Sequence, residues 1–238
     1  MGHSLFIFGP AGSGKTTFCT NLQSHSQIIN RTFNFINLDP SSIQRYDYII
    51  DIRDYISTTE IMEYEDLGPN GSLMQAFDLL YENIQELDFD NYEFLVFDCP
   101  GQIELFMHSV SFKNIVSFIN SMFKSCILYF VDSQSVLDLG KFMGNLLCGY
   151  ICMSRFELSM FFILSKVDLI GADVICEFLD NLESNSESNN LYKKIYEFAE
   201  IDFKLLDYEN EESLDEILGM IDCSVQYYDD VDIKTRDF

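Results

Sequence analysis

The sequence predicts a doubly wound α/β domain on a mostly parallel sheet, of P-loop NTPase type, and three observations carry that reading. Short apolar runs alternate with helical stretches, the pattern of βαβ units. Charged and small residues gather at the carboxyl ends of those runs, where open parallel sheets hold their ligands. Residues 9–16, Gly9-Pro10-Ala11-Gly12-Ser13-Gly14-Lys15-Thr16, follow the apolar run Leu5-Phe6-Ile7-Phe8 and lead into a stretch free of proline. That is G-x-x-x-x-G-K-[ST] in its strand–loop–helix setting.

The loop is the element to justify first. Glycines at 12 and 14 let successive N–H groups turn toward phosphate oxygens, and the helix that follows adds its positive end. Lys15 reaches the outer phosphates as a point charge, and the Thr16 hydroxyl can ligate a bridging Mg²⁺. Gly12, Ser13, Gly14, Lys15, Thr16 and Thr17 are the expected phosphate-binding residues.

A second strand, Phe33 to Asn37, ends in Leu38-Asp39-Pro40, and Pro40 keeps Asp39 out of helical geometry at a strand end. Residues 41–67 have apolar weight without a clean period and predict short helices. Gly68-Pro69-Asn70-Gly71 is a turn signal before a helical pattern in Leu73, Ala76, Phe77, Leu80 and Ile84. Glu93 to Phe97 is the next strand, ending in Asp98-Cys99-Pro100-Gly101-Gln102. Asp98 suits a carboxylate that holds Mg²⁺ through its water shell, Gly101 can turn its N–H to a γ-phosphate, and Gln102 stands where D-x-x-G-Q hydrolases orient water, with Glu104 two residues on.

Cys126 to Asp132 predicts a buried strand, and Val136 to Met153 a helix. Leu158 to Leu164 predicts another strand, ending in Ser165-Lys166-Val167-Asp168. A carboxylate at Asp168 can accept both the N1–H and the exocyclic amine of guanine, while the Lys166 stem covers the base. That spacing favours GTP or GDP over adenine nucleotides. Residues 184–190 predict a mobile polar loop, Phe203 to Leu206 a last strand, and Leu214 to Val225 a closing helix with Ile217, Leu218 and Ile221 on one side. The base-closing loop is expected around Leu206-Asp207-Tyr208.

Composition bounds the rest. With 238 residues, 47% of them hydrophobic, residues 1–238 suit a single domain. Fourteen Lys and Arg against 39 Asp and Glu give a net charge of −25, which repels nucleic acid and anionic lipid alike. Nucleotide affinity must therefore come from short-range loop dipoles, Lys15 and Mg²⁺. Seven cysteines without a C-x-x-C pair, beside only three histidines, indicate a reducing compartment and no zinc site. Cys148 and Cys152 share a helix face and suit apolar packing. The first strand begins almost at once, so no leader is expected. The uncharged run 142–154 is shorter than the roughly 20 residues that span a bilayer. A soluble intracellular protein is the expectation.

The residues together resemble the GPN-loop GTPases. Gly9 to Thr16, Asn37-Leu38-Asp39-Pro40, Asp51-Ile52-Arg53, Gly68-Pro69-Asn70-Gly71, Asp98 to Leu105, Val131-Asp132-Ser133-Gln134 and Ser165 to Asp168 carry the resemblance, which covers nearly the whole chain. It implies a SIMIBI-like GTPase fold with a GPN-loop insertion around 66–72 that reaches across a dimer interface, bringing Asn70 near the partner's γ-phosphate. It also implies a heterodimer with another paralogue, or a homodimer in isolation, and a part in assembling or importing RNA polymerase II, with a cytoplasmic location and shuttling to the nucleus. Ser165 departs from the asparagine of many GTPases, and the base-closing loop lacks their Ser-Ala pair.

The activity these readings favour is hydrolysis of GTP to GDP and phosphate, slow in the isolated chain. Lys15, Thr16 and Mg²⁺ would neutralise phosphate charge, with Asp98 and Asp39 as candidates for the metal shell. Gln102, Glu104 and Asp39 are alternatives for orienting or deprotonating water. Two other readings remain: a nucleotide-dependent scaffold with negligible hydrolysis, and a P-loop kinase. The second is disfavoured by the scarcity of arginines, of which only Arg45 and Arg53 fall near a motif.

Overall fold

The computed structural model describes residues 2–42, 45–89, 91–184 and 202–228. Its strands are β1 (Gly2–Phe8), β2 (Asn34–Asn37), β3 (Ile50–Asp51), β4 (Phe94–Asp98), β5 (Phe123–Asp132), β6 (Ser159–Ser165) and β7 (Phe203–Leu205). They form one seven-stranded sheet in the order β3-β2-β4-β1-β5-β6-β7, with every neighbouring pair parallel. Parallel neighbours need crossovers, and helices supply them on both faces.

The alternation within β1 shows how the two faces arise. Phe6 and Phe8 point into one core, with Phe97, Phe106 and Phe112, beneath α3 (Pro69–Glu82), α5 (Val110–Met122) and α6 (Leu139–Phe156). Leu5 and Ile7 point into the other, closed by α1 (Lys15–Ile28) and a C-terminal helix, Glu211–Ser224. That second core takes Phe18, Cys19 and Leu22 from α1, and Ile217, Leu218 and Ile221 from the closing helix as its spacing predicts. Stacked pairs such as Phe6 with Phe97 and Phe8 with Phe106, both with centroids 4.6 Å apart, fill the first core.

At the far end of the second core, Arg31 after α1 clamps the closing helix. Its Nη1 and Nη2 donate to the two carboxylate oxygens of Asp222 at 2.8 and 2.7 Å. The guanidinium also lies 3.8 Å from the Tyr227 ring centroid and 4.7 Å from that of Phe33.

Several expectations shift. Residues 41–67 hold a 3-10 turn at Ile52–Asp54 and α2 (Thr58–Glu65), but also β3, whose two residues are too few to show a period. The helix expected from Val136 begins at Leu139 and runs to Phe156. Ser133–Leu137 is a separate 3-10 turn, because the Asp138 carboxylate caps the Lys141 N–H and restarts the chain there. Gly68-Pro69-Asn70-Gly71 does not form a separate turn ahead of the helix but opens it. Gly68 is the N-cap and Pro69 the first residue of α3, the position where proline's fixed φ and missing N–H cost nothing. Helix α4 (Ile103–His108) and α7 (Ala172–Ser184) complete the described helices before the closing one, which is α8. Cys152 is buried and Cys148 half-buried on α6. Residues 185–190 of the polar loop lie outside the described residues. No described helix is long and apolar enough to cross a membrane.

Candidate functional site

The sheet brings the sequence-predicted loops to one edge. A cavity of about 350 Å³ opens at the carboxyl end of β1, lined by Gly12, Gly14, Lys15, Thr16, Thr17, Asp39, Arg45, Gly101 and Lys166 among others. Larger cavities lie elsewhere, one of about 570 Å³ beside Arg31 and one of about 630 Å³ between α2 and α3, and neither holds a predicted site residue.

Gly12 and Gly14 sit at φ 76° and 93°, in the left-handed region the phosphate loop requires. Gly14 caps α1, so Lys15 is its first residue. The Lys15 ammonium donates to the carbonyls of Gly9 and Pro10 at 2.9 and 3.0 Å. Burial pulls its pKa down, and the nearby carboxylates of Asp98 and Asp39 resist that fall. Ser13 is buried behind the loop, and its contribution is its carbonyl, which accepts from the Ser165 hydroxyl at 2.6 Å. That bond ties the Ser165 to Asp168 stretch to the phosphate loop.

Asp98 ends β4, beside β1, and is 1% exposed. Its Oδ2 accepts from Thr16 Oγ1 at 3.0 Å and from Tyr46 OH at 2.7 Å. Burial raises the carboxyl pKa, opposed by the Tyr46 hydroxyl, the Lys15 charge and the Thr16 hydroxyl. Gly101 packs on the loop so closely that an added Cβ would lie 2.6 Å from Ala11 N and Cα. Only glycine lets the two loops meet.

Asp39 stands on a braced turn. Its carboxylate accepts from Ser41 N–H at 2.8 Å, and the buried Asn37 amide donates to Asp39 O and to Asp51 Oδ1 at 3.1 and 2.9 Å. Arg53 pairs with Asp51 and donates from Nη1 to Ser42 O at 2.8 Å. Arg53 is therefore a brace, whereas Arg45 lines the cavity. Burial works to raise the Asp51 pKa, but the Arg53 guanidinium and N–H and the Asn37 amide hold it below the usual carboxylate range. A depressed carboxyl stabilises the fold above its unfolded pKa of about 3.9, and that contribution disappears as pH falls through the folded value. Asp51→Asn should lower stability at neutral pH by about 1 kcal/mol and flatten the acid limb of a melting-temperature profile.

On the other flank, Lys166 adopts φ 58°, its ammonium donates to Asp132 at 2.6 Å, and Ser133 Oγ holds its carbonyl at 2.7 Å. Asp168 is exposed and has no hydrogen-bond partner among the described residues. Gln102 caps α4 and Glu104 is exposed in its first turn; neither lines the cavity. Asn70 is exposed in the first turn of α3 and does not line it either. Of the three groups considered for water, Asp39 alone does so. Sequence reasoning missed Tyr46, which carried no local signal.

No described cluster of three or more His, Cys, Asp or Glu side chains could hold a metal alone. The donor set present fits Mg²⁺, which takes most of its oxygens from phosphates and water. Thr16 can donate its proton to Asp98 and still offer a lone pair.

Comparison with known proteins finds relatives along nearly the whole chain. A family model described as "Conserved hypothetical ATP binding protein" matches residues 7–227. Proteins named GPN-loop GTPase 3 match from Candida glabrata at 37% identity, over 94% of this chain and 92% of theirs, and from Saccharomyces cerevisiae at 34% over the same shares. The one from Dictyostelium discoideum is 33% identical over 98% of this chain and 90% of its own. The crystal structure of a GTPase in apo form from Pyrococcus abyssi shares the fold, with a TM-score of 0.74 at 20% identity over 93% of this chain and 97% of that one. With relatives of that name 33–37% identical along nearly its whole length, the chain belongs to the GPN-loop GTPase family.

Proposed function

We propose that the chain binds GTP with Mg²⁺ and hydrolyses it to GDP and phosphate. The observation that carries this is the convergence of Lys15, Thr16, Asp39 and Gly101 on one cavity, with Asp98 directly behind Thr16. Lys15 and the loop N–H groups balance phosphate charge, and Thr16 and Asp98 would hold magnesium, which would supply further charge neutralisation when bound. Asp39 is the carboxylate positioned to orient the attacking water, and Gly101 the N–H for the outer phosphate. The family model's description names ATP, but relatives named GTPases favour guanine, as does the Asp168 carboxylate, which has no hydrogen-bond partner among the described residues. Titration with GDP and ADP in Mg²⁺ should show GDP binding at least a hundredfold tighter. Asp168→Ala should erase most of that difference, since the paired acceptor is lost. Equal ADP binding overturns the reading.

The position of Gln102, Glu104 and Asn70 outside the cavity supports slow turnover alone and completion by a second subunit. Exposed Tyr64 on α2, which buries none of its residues, and exposed Tyr55 just before that helix give such a subunit a surface. The family resemblance extends the proposal to a heterodimer with another paralogue that serves RNA polymerase II assembly or import from the cytoplasm. Hydrolysis measured with and without that paralogue tests the coupling.

A further inference from the structure

We propose that Tyr46 is a positioning residue for magnesium, its hydroxyl fixing the Asp98 carboxylate in the orientation that serves the metal. This rests on the Mg²⁺-dependent reading above. Tyr46 lies between β2 and β3, 52 residues from Asp98 in sequence, and is 5% exposed. Its ring is held edge-on by Phe35 and Tyr48, with centroids 5.1 and 4.5 Å away. From that cage the hydroxyl donates to Asp98 Oδ2 at 2.7 Å.

The same oxygen takes the Thr16 hydroxyl at 3.0 Å, so both side-chain donors sit on Oδ2 and Oδ1 is left for a metal-bound water. The two donors are not equivalent. Thr16 is itself a proposed metal ligand, so its rotation answers to the metal. Tyr46 is not itself a metal ligand and its ring is fixed by packing, which makes it the anchor that sets the carboxylate before metal arrives. Outer partners of this kind typically govern metal affinity by tenfold or more.

The test is calorimetric GDP binding in Mg²⁺ and in EDTA for wild type, Tyr46→Phe and Tyr48→Phe, with melting in EDTA alongside. Tyr46→Phe keeps the ring and removes one oxygen; the Tyr48 hydroxyl makes no bond to Asp98. Wild type should gain affinity from Mg²⁺, Tyr46→Phe should lose roughly tenfold of that gain while binding normally in EDTA, and Tyr48→Phe should match wild type. In an Asp98→Asn background, Tyr46→Phe should cost no further Mg²⁺ enhancement. An undiminished gain in Tyr46→Phe overturns the proposal, as does equal loss in Mg²⁺ and EDTA, or a variant that does not fold in EDTA. Wild type that gains nothing from Mg²⁺ overturns the magnesium reading and this proposal together.

Discussion

Lys15→Ala should weaken GDP and GTP binding at least a hundredfold while leaving the fold standing. The lysine is 6% exposed, and its bonds run to two carbonyls of its own loop, Gly9 and Pro10. Beyond its loop it offsets only the buried Asp98 carboxylate, which keeps the Tyr46 and Thr16 hydroxyls without it. Removing it deletes the cation at the centre of the cavity, where charge-assisted bonds to phosphate are each worth about 1.5–3 kcal/mol. Arg45 and Lys166 also line the cavity, but Lys166 is committed to Asp132. Burial already disfavours the Lys15 charge, so melting without nucleotide should move by only a few degrees. Calorimetry beside melting separates the effects, and wild-type affinity in the variant would show that the loop's N–H groups suffice. Lys15→Arg should not restore binding, because a planar fork does not replace a point charge in so tight a loop.

Arg31→Ala should have the opposite profile, with a large loss of stability and unchanged nucleotide affinity. Its partner Asp222 is 2% exposed and would be left as a buried, uncompensated charge. Breaking such a pair costs about 3–5 kcal/mol, or a melting temperature lower by roughly 10 °C in a chain of this size. The loss of guanidinium packing on Tyr227, Phe33 and Phe94 adds to it. The double change Arg31→Ala with Asp222→Ala should recover part of the stability, since the stranded carboxylate goes too. Neither residue lines the nucleotide cavity, so GDP titration should match wild type. A fall of under 2 °C in Arg31→Ala would mean that water reaches Asp222 as soon as the arginine is gone.

What the sequence made legible was whatever is encoded within a few neighbouring residues. The phosphate loop, Asp98 and the Ser165 to Asp168 stretch each follow an apolar run, so the strand end and its chemistry are written together. The closing helix was legible from its own period. Contacts between distant segments were not. Tyr46 meets Asp98, and Arg31 meets Asp222 across 191 residues, with no local mark on either partner. β3 was hidden because two residues cannot display alternation. The GPN stretch suggested a turn because Gly, Pro and Asn favour turns, yet proline at the first helical position is equally at home, and the apolar period from Leu73 onward decided for the helix. Gln102 and Glu104 are placed by motif position, whereas of the three only Asp39 lines the cavity.

The strand order has a consequence for how the protein can change. Because β4 and β2 lie to one side of β1 and β5 and β6 to the other, Asp98 and Asp39 occupy one flank of the phosphate loop and Lys166 and Asp168 the opposite flank. On the proposed reading, a nucleotide lying across the sheet edge would meet the two sets at its two ends, so that the choice of base and the handling of the outer phosphate would be inscribed on separate halves of the molecule. Drift on one half can retune timing without altering the choice of fuel, and drift on the other can alter the fuel without resetting the clock.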